Sequence, residues 1–169
     1  MNEHRPPVQM RLVRADYGDP DVTRLVEEVQ AEYVTRYGSP DETPLDPLMF
    51  EPPAGIFFVG YLDDEPVATG AWRRSQVEVF DTARTAEIKR MYVAASARGR
   101  GLSRVMLRHL EATAAESGVE ALVLETGIMQ PEAIALYESS GYVRVPQFGY
   151  YRDSPSSRCF GKDLRSSSG

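Results

Sequence analysis

The stretch Arg90–Gly118, RMYVAASARGRGLSRVMLRHLEATAAESG, joins the end of a strand to a turn of arginines and glycines and then to a helix. The run AEIKRMYV, Ala86–Val93, has the composition of a strand. From Leu102 apolar residues fall at 102, 105, 106, 110 and 114, the spacing of a helix with one buried stripe, and Gly118 ends it. Between the two stands RGRG, Arg98–Gly101. This order suits an anion site, because the first amides of a helix lack intrahelical acceptors and the helix dipole adds positive charge there. Gly99 and Gly101 have no Cβ, so backbone N–H groups can close on an anion. Arg98 and Arg100 can add charge-assisted hydrogen bonds at its rim. Taken alone, the motif reads equally well as a solvated glycine turn, since short glycine motifs are common. It is not a Walker loop, because the lysine and hydroxyl pair is missing. It is not the dinucleotide fingerprint either, which needs a third glycine and an early βαβ unit.

The rest of the chain limits what that anion can be. With 25 acidic against 19 basic residues the net charge is -6, so a phosphate polymer is repelled and any phosphate recognition is local. No nucleic-acid partner is expected. A length of 169 residues with 42% hydrophobic and 26% charged residues suits one ordinary globular domain. Cys159 is the only cysteine, which excludes an intramolecular disulfide and suits a reducing cytoplasm. The start, MNEHRPPVQMRLVR, has no signal-like apolar run, and nothing approaches the ~20 apolar residues of a membrane span. The two histidines, His4 and His109, sit in no ligand-spaced motif, so no metal is expected. The domain is expected over 1–165, with 166–169 a disordered tail.

Around the opening stretch the elements alternate. VQMRLVR (Val8–Arg14) has the period of a strand. A helix follows, with Asp19 as its cap, Pro20 in its first turn, Val22, Leu25, Val26, Val29 and Tyr33 at helical spacing, and Gly38 at its end. Ser39–Pro53 holds five prolines and reads as a long loop. GIFFVGYLDDEPVATGAWRR is two strands joined by the turn DDEP. After the central helix come a buried strand EALVLET (Glu120–Thr126), a short helix QPEAIALYESSGY, and two strand-like segments, YVRVPQFGYY and SSRCFGKDL. The expected fold class is α/β with a mixed sheet, in a single domain with helices on both faces.

RGRGLS resembles the Gln/Arg-x-x-Gly-x-Gly/Ala signature of the GNAT superfamily of N-acetyltransferases, with Ser103 at the last position. QPEAIALYESSGY is similar to that family's Asn-x-x-Ala-x-x-x-Tyr-x-x-x-Gly-Phe segment, with Gln130 for Asn. The resemblance runs from Ile56 to Leu164 and fits a bacterial, small-molecule-type subgroup. It implies the GNAT fold, a mostly antiparallel sheet splayed between strands 4 and 5, with acetyl-CoA as co-substrate. It also implies that backbone groups of Met91, Tyr92 and Val93 meet the pantetheine arm and the thioester carbonyl. Arg98, Gly99, Arg100, Gly101, Leu102 and Ser103 would hold the pyrophosphate, and Gln130 would make a polar contact to the arm.

For catalysis the resemblance places Tyr137 near the cofactor sulfur as the acid for the departing thiolate. The bland reading of that residue is a core tyrosine. Glu87 stands at the general-base position of some members, against the alternative of a strand carboxylate paired with Lys89, Arg90 or Arg73. Glu125 is a second base candidate. Trp72, Arg73 and Tyr33 are substrate-side candidates, with Tyr37 and the proline-rich loop on the opposite wall. His109 and Cys159 read as structural. The function implied is acetyl transfer to a small-molecule amine. Alternatives are a protein or peptide acceptor, or a non-catalytic acyl-CoA-binding module. The assembly stays open, with a homodimer the family's frequent form.

Overall fold

The computed structural model describes residues 9–38, 40, 47–128 and 130–165. The expected tail, His4, the start of the first expected strand and residues 39 and 41–46 of the proline-rich loop lie outside the described residues. The elements are β1 (Arg11–Arg14), α1 (Pro20–Tyr37), β2 (Gly55–Leu62), β3 (Glu65–Ser75), β4 (Thr85–Val93), α2 (Leu102–Glu116), β5 (Ala121–Gly127), α3 (Pro131–Ser139), β6 (Val143–Arg144) and β7 (Ser157–Asp163). They form one seven-stranded sheet in the order β1-β2-β3-β4-β5-β7-β6. Neighbours are antiparallel except β4 and β5, which are parallel.

Local chemistry sets the helix ends. The Asp19 carboxylate accepts from the Asp21 amide at 2.8 Å, Pro20 opens α1, and Gly38 closes it in the left-handed region at φ 80°. Val22 and Leu25 of α1 are buried among Phe57, Val59 and Ala71 on one face of the sheet, and Val29 is buried as well. The opposite face packs Leu102, Met106, Leu107, Leu110 and Ala114 of α2, and Tyr137 of α3, against Trp72, Ile88, Leu122 and Leu124. Val105, expected in the α2 stripe, is exposed while Leu107 is buried. The buried arc is centred near 106 and 110, and position 105 falls beyond its edge. No helix among the described residues is long and apolar enough to cross a membrane.

The segment YVRVPQFGYY differs from its strand-like reading, since only Val143 and Arg144 pair with β7. Pro146 has no N–H for a ladder, and Gly149 turns the chain at φ 87°. Val145 and Phe148 instead pack with Val77 and Phe80 on Ala121 and Val123.

Candidate active site

The site begins where the parallel pair parts. β4 and β5 are paired at Thr85↔Ala121, Ala86↔Leu122 and Glu87↔Val123 and no further. Beyond that point each strand follows its other neighbour. β5 stays in register with β7 as far as Gly127↔Ser157. β4 follows β3 through a bulge, because Thr69 pairs with Tyr92 and Ala71 with Lys89, leaving Arg90 and Met91 opposite Gly70. Arg90 takes φ 55°, and the Thr69 hydroxyl donates to its carbonyl at 2.6 Å. A bulge bends its strand, and here the bend widens the gap to β5.

The gap is a cavity of about 360 Å³. Its floor is Glu87, Ile88, Lys89, Arg90 and Met91 of β4 with Leu124, Glu125, Thr126 and Gly127 of β5. Tyr33 and Tyr37 of α1 wall one side, Gln130, Ala133 and Tyr137 another, and Tyr151, Ser154, Ser156 and Ser157 a third. Tyr37 closes tightly over β5, since a Cβ added at Gly127 would overlap its hydroxyl and lie 2.7 Å from Cζ. Gln130 Nε2 donates to the same hydroxyl at 3.5 Å.

Glu87 is 3% exposed, and both of its carboxylate oxygens are engaged. Arg73 Nη2 donates to Oε1 at 2.8 Å and Lys89 Nζ stands 3.1 Å from Oε2. Glu87 is thus held between two cations, one on each carboxylate oxygen. Glu125 is different. Its Oε2 is buried with no hydrogen-bond partner among the described residues. Burial holds its carboxyl above the ordinary carboxylate range; Lys89 opposes, the Glu87 charge adds to the rise, and hydrogen bonding from Ser157 and the Tyr151 backbone offsets part of it.

Tyr137 is 5% exposed and lies edge-on to Tyr142 with ring centroids 5.6 Å apart. Burial, reinforced by Tyr33, holds its hydroxyl well above the usual tyrosine range. Of the strand-end residues, Met91 lines the cavity. Tyr92 turns to α1, its hydroxyl 3.3 Å from Glu28. The Val93 carbonyl accepts from Arg98 Nε at 3.1 Å, which ties the strand end to the glycine turn.

In that turn Gly99 and Gly101 take φ 80° and 75°, and Gly101 is the N-terminal flank of α2. A Cβ at either would meet no atom within 4 Å, so the left-handed backbone demands the glycine and the approach to the first α2 amides is clear. Leu102 points into the core while Ser103 and Arg100 stay at the surface. The Arg98 guanidinium is committed elsewhere, 2.5 Å from Glu32 Oε2 and over the Tyr92 ring. The turn therefore offers backbone more than Arg98 side chain.

Trp72 does not line the cavity. It is 3% exposed on the α2 face, where its indole N–H donates to the Thr113 hydroxyl at 3.0 Å. Strand alternation puts Arg73, not Trp72, on the cavity side, where it reaches the cavity only through Glu87. His109 stacks edge-on to Phe58 at 4.3 Å. Cys159 is fully buried, with burial raising its thiol. Among the described residues no group of three or more metal-ligating side chains gathers. Sequence reasoning passed over Lys89, Tyr151 and the three serines as site residues. Lys89 was available from its i+2 spacing to Glu87; the others depend on β7 lying beside β5.

The profile of the Acetyltransferase (GNAT) family matches residues 23–142. An IAA acetyltransferase of Azospirillum brasilense is 32% identical over 143 residues, covering 85% of this chain and 90% of that protein. The uncharacterized N-acetyltransferase YjgM of Escherichia coli (strain K12) is 29% identical over 152 residues, covering 86% and 88%. A solved structure from Klebsiella pneumoniae, provisionally called an acyl-CoA N-acyltransferase, superposes with a TM-score of 0.76 at 28% identity, covering 93% of this chain and 99% of that one. A GNAT acetyltransferase from Elizabethkingia anophelis with acetyl-CoA bound shares the fold at a TM-score of 0.65 and 15% identity, covering 91% and 97%.

Proposed function

The chain belongs to the acetyltransferase (GNAT) family, and from that premise we propose that it is an acetyl-CoA-dependent N-acetyltransferase. The acceptor is the amine of a small molecule, which attacks directly in a ternary complex. The observation that carries this reading is the parting of β4 from β5 after Glu87↔Val123, which opens a cavity with Tyr137 on its wall. A volume of about 360 Å³, walled on one side by Tyr33 and Tyr37, favours a small acceptor over a protein chain.

Acetyl-CoA supplies the reactive thioester. The freed backbone of β4 at Met91 and Val93 can pair with its pantetheine arm, and Gln130 can add a polar contact. The amides of residues 98–103, at a glycine turn opening a helix, suit its pyrophosphate. The amide of Met91 or Tyr92 can polarise the thioester carbonyl, where negative charge develops on attack. The Tyr137 hydroxyl stays protonated and donates a hydrogen bond to the departing sulfur. Full transfer from so weak an acid to a thiolate with a conjugate acid near ~8.5 is uphill. Tyr137 therefore stabilises the leaving group, and the proton that ends on sulfur comes from the amine.

Saturating acetyl-CoA tests the reading first. At about 100 times its Kd it stabilises the fold by about 2.7 kcal/mol, which raises Tm by about 5–10 °C for a domain of this size. No shift at saturation overturns the cofactor assignment. Thiol release with an amine panel should then fall roughly 10–100-fold in Tyr137→Phe while the thermal shift persists. Unchanged turnover removes Tyr137 from the mechanism.

A further inference from the structure

We propose that Glu125 and Lys89, facing each other across the opening between β4 and β5, bind the two ends of a zwitterionic acceptor, so that the substrate is a free amino acid or a close relative with both an amine and a carboxylate. The inference rests on the acetyltransferase reading above and names its substrate class.

The register supplies the placement. Glu87↔Val123 is the last paired position. Two residues further along each strand, on the same face, stand Lys89 and Glu125, and both line the cavity. The charges there are separated. Arg73, Glu87 and Lys89 form a linked group with two cations and one anion, which leaves one positive charge in excess. Glu125 carries the opposing charge, with Oε2 buried and unpartnered among the described residues. Such an oxygen calls for a hydrogen-bond donor, and the acceptor's ammonium is one. The Lys89 ammonium has three donors, and among the described residues its ion pair is with Glu87 Oε2 at 3.1 Å. A monocation such as a simple alkylamine satisfies Glu125 and leaves Lys89 unmatched; a zwitterion satisfies both. Of the other polar groups lining the cavity, Arg90 at the bulge adds a further cation on the β4 side, while Gln130, Tyr33, Tyr37, Tyr151 and the three serines are neutral.

Glu125 is then also the proton acceptor. The ammonium gives one proton to its carboxylate. The freed nitrogen forms the N–C bond to the acetyl carbon while the C–S bond of acetyl-CoA breaks. A second amine proton passes to the thiolate, and Glu125 returns the first to solvent. The products are the acetamide and CoA thiol.

Thiol release is measured with α-, β- and γ-amino acids and with their amides, methyl esters and decarboxylated amines. We expect kcat/KM for the best free amino acid to exceed that of its carboxylate-blocked forms by at least tenfold. Lys89→Gln should collapse that ratio through KM, and Glu125→Gln should lower kcat about 100-fold or more. Binding gives a second readout. In the presence of CoA the same amino acid should raise Tm in the wild type and fail to do so in Lys89→Gln. Acetyl-CoA should still raise Tm in both variants, which shows that they are folded. Preferred turnover of carboxylate-free amines, or a ratio unchanged in Lys89→Gln, overturns the inference and leaves the acetyltransferase reading standing. No thermal shift by acetyl-CoA and no turnover of any amine overturns both.

Discussion

Replacing Glu87 by glutamine separates a catalytic base from a carboxylate that holds two cations in place. In the structure its side chain is 4% exposed, with Arg73 at 2.8 Å and Lys89 at 3.1 Å. Removing one partner of a fully buried ion pair costs about 3–5 kcal/mol. Arg73 is 35% exposed and so is partly screened, whereas Lys89 is 17% exposed. Glutamine keeps one acceptor oxygen for one of the two. Discounting for both effects leaves about 1–3 kcal/mol. At about 2–4 °C per kcal/mol for a domain of this size, Tm should fall by about 2–12 °C. In turnover, a carboxylate that positions Lys89 should raise the acceptor's KM by roughly tenfold and leave the acidic limb of the pH profile in place. A general base behaves otherwise, with kcat down 10²–10⁴-fold and that limb abolished. The assays are a thermal melt and pH-dependent initial rates in parallel. An unchanged Tm would refute the ion-pair argument, and loss of the acidic limb would refute the positioning role.

Three further outcomes follow from the same geometry. Gly101→Ala should cost about 1–2 kcal/mol, purely for the left-handed backbone because its Cβ meets open space, and should weaken acetyl-CoA binding in calorimetry; unaltered affinity would detach the turn from the cofactor. Trp72→Phe should lower Tm through the lost Thr113 hydrogen bond and the smaller ring, with kcat and KM for the acceptor held within twofold, since the indole lies on the α2 face. Glu125→Gln should raise the urea midpoint of the ligand-free protein at pH 8 and match the wild type near pH 4. The sign follows from the raised carboxyl: ionised Glu125 opposes folding, and the native state's advantage from a protonated Glu125 is lost as pH rises through its folded pKa. The groups that face it are Glu87 and Lys89 on β4, Ser157 and Cys159 on β7, and the Tyr151 backbone. A midpoint lowered at pH 8 would mean that Lys89 outweighs burial.

What could be read from the chain alone is what depends on neighbours in sequence. Asp19, Pro20 and Gly38 bound α1 through backbone geometry that they carry themselves, and Gly99 and Gly101 announce a left-handed turn because little else tolerates it. Which face a strand residue uses is a different matter. Strict alternation from Glu87 would put Lys89, Met91 and Val93 on one side of the sheet. The bulge at Arg90–Met91 breaks that count. Past it, Tyr92 joins Lys89 on the α1 side, while Met91 and Val93 pack with the α2 cluster. No composition signal marks the bulge, since Arg90 is not a residue that favours φ 55°. It is held by the Thr69 hydroxyl from the neighbouring strand, a contact between residues 21 apart. The clamp of Arg73 and Lys89 on Glu87 and the commitment of Arg98 to Glu32 arise in the same way, from pairs of elements brought together by the sheet order. The same bulge bends β4 away from β5, so the feature hardest to see in the sequence is the one that opens the site.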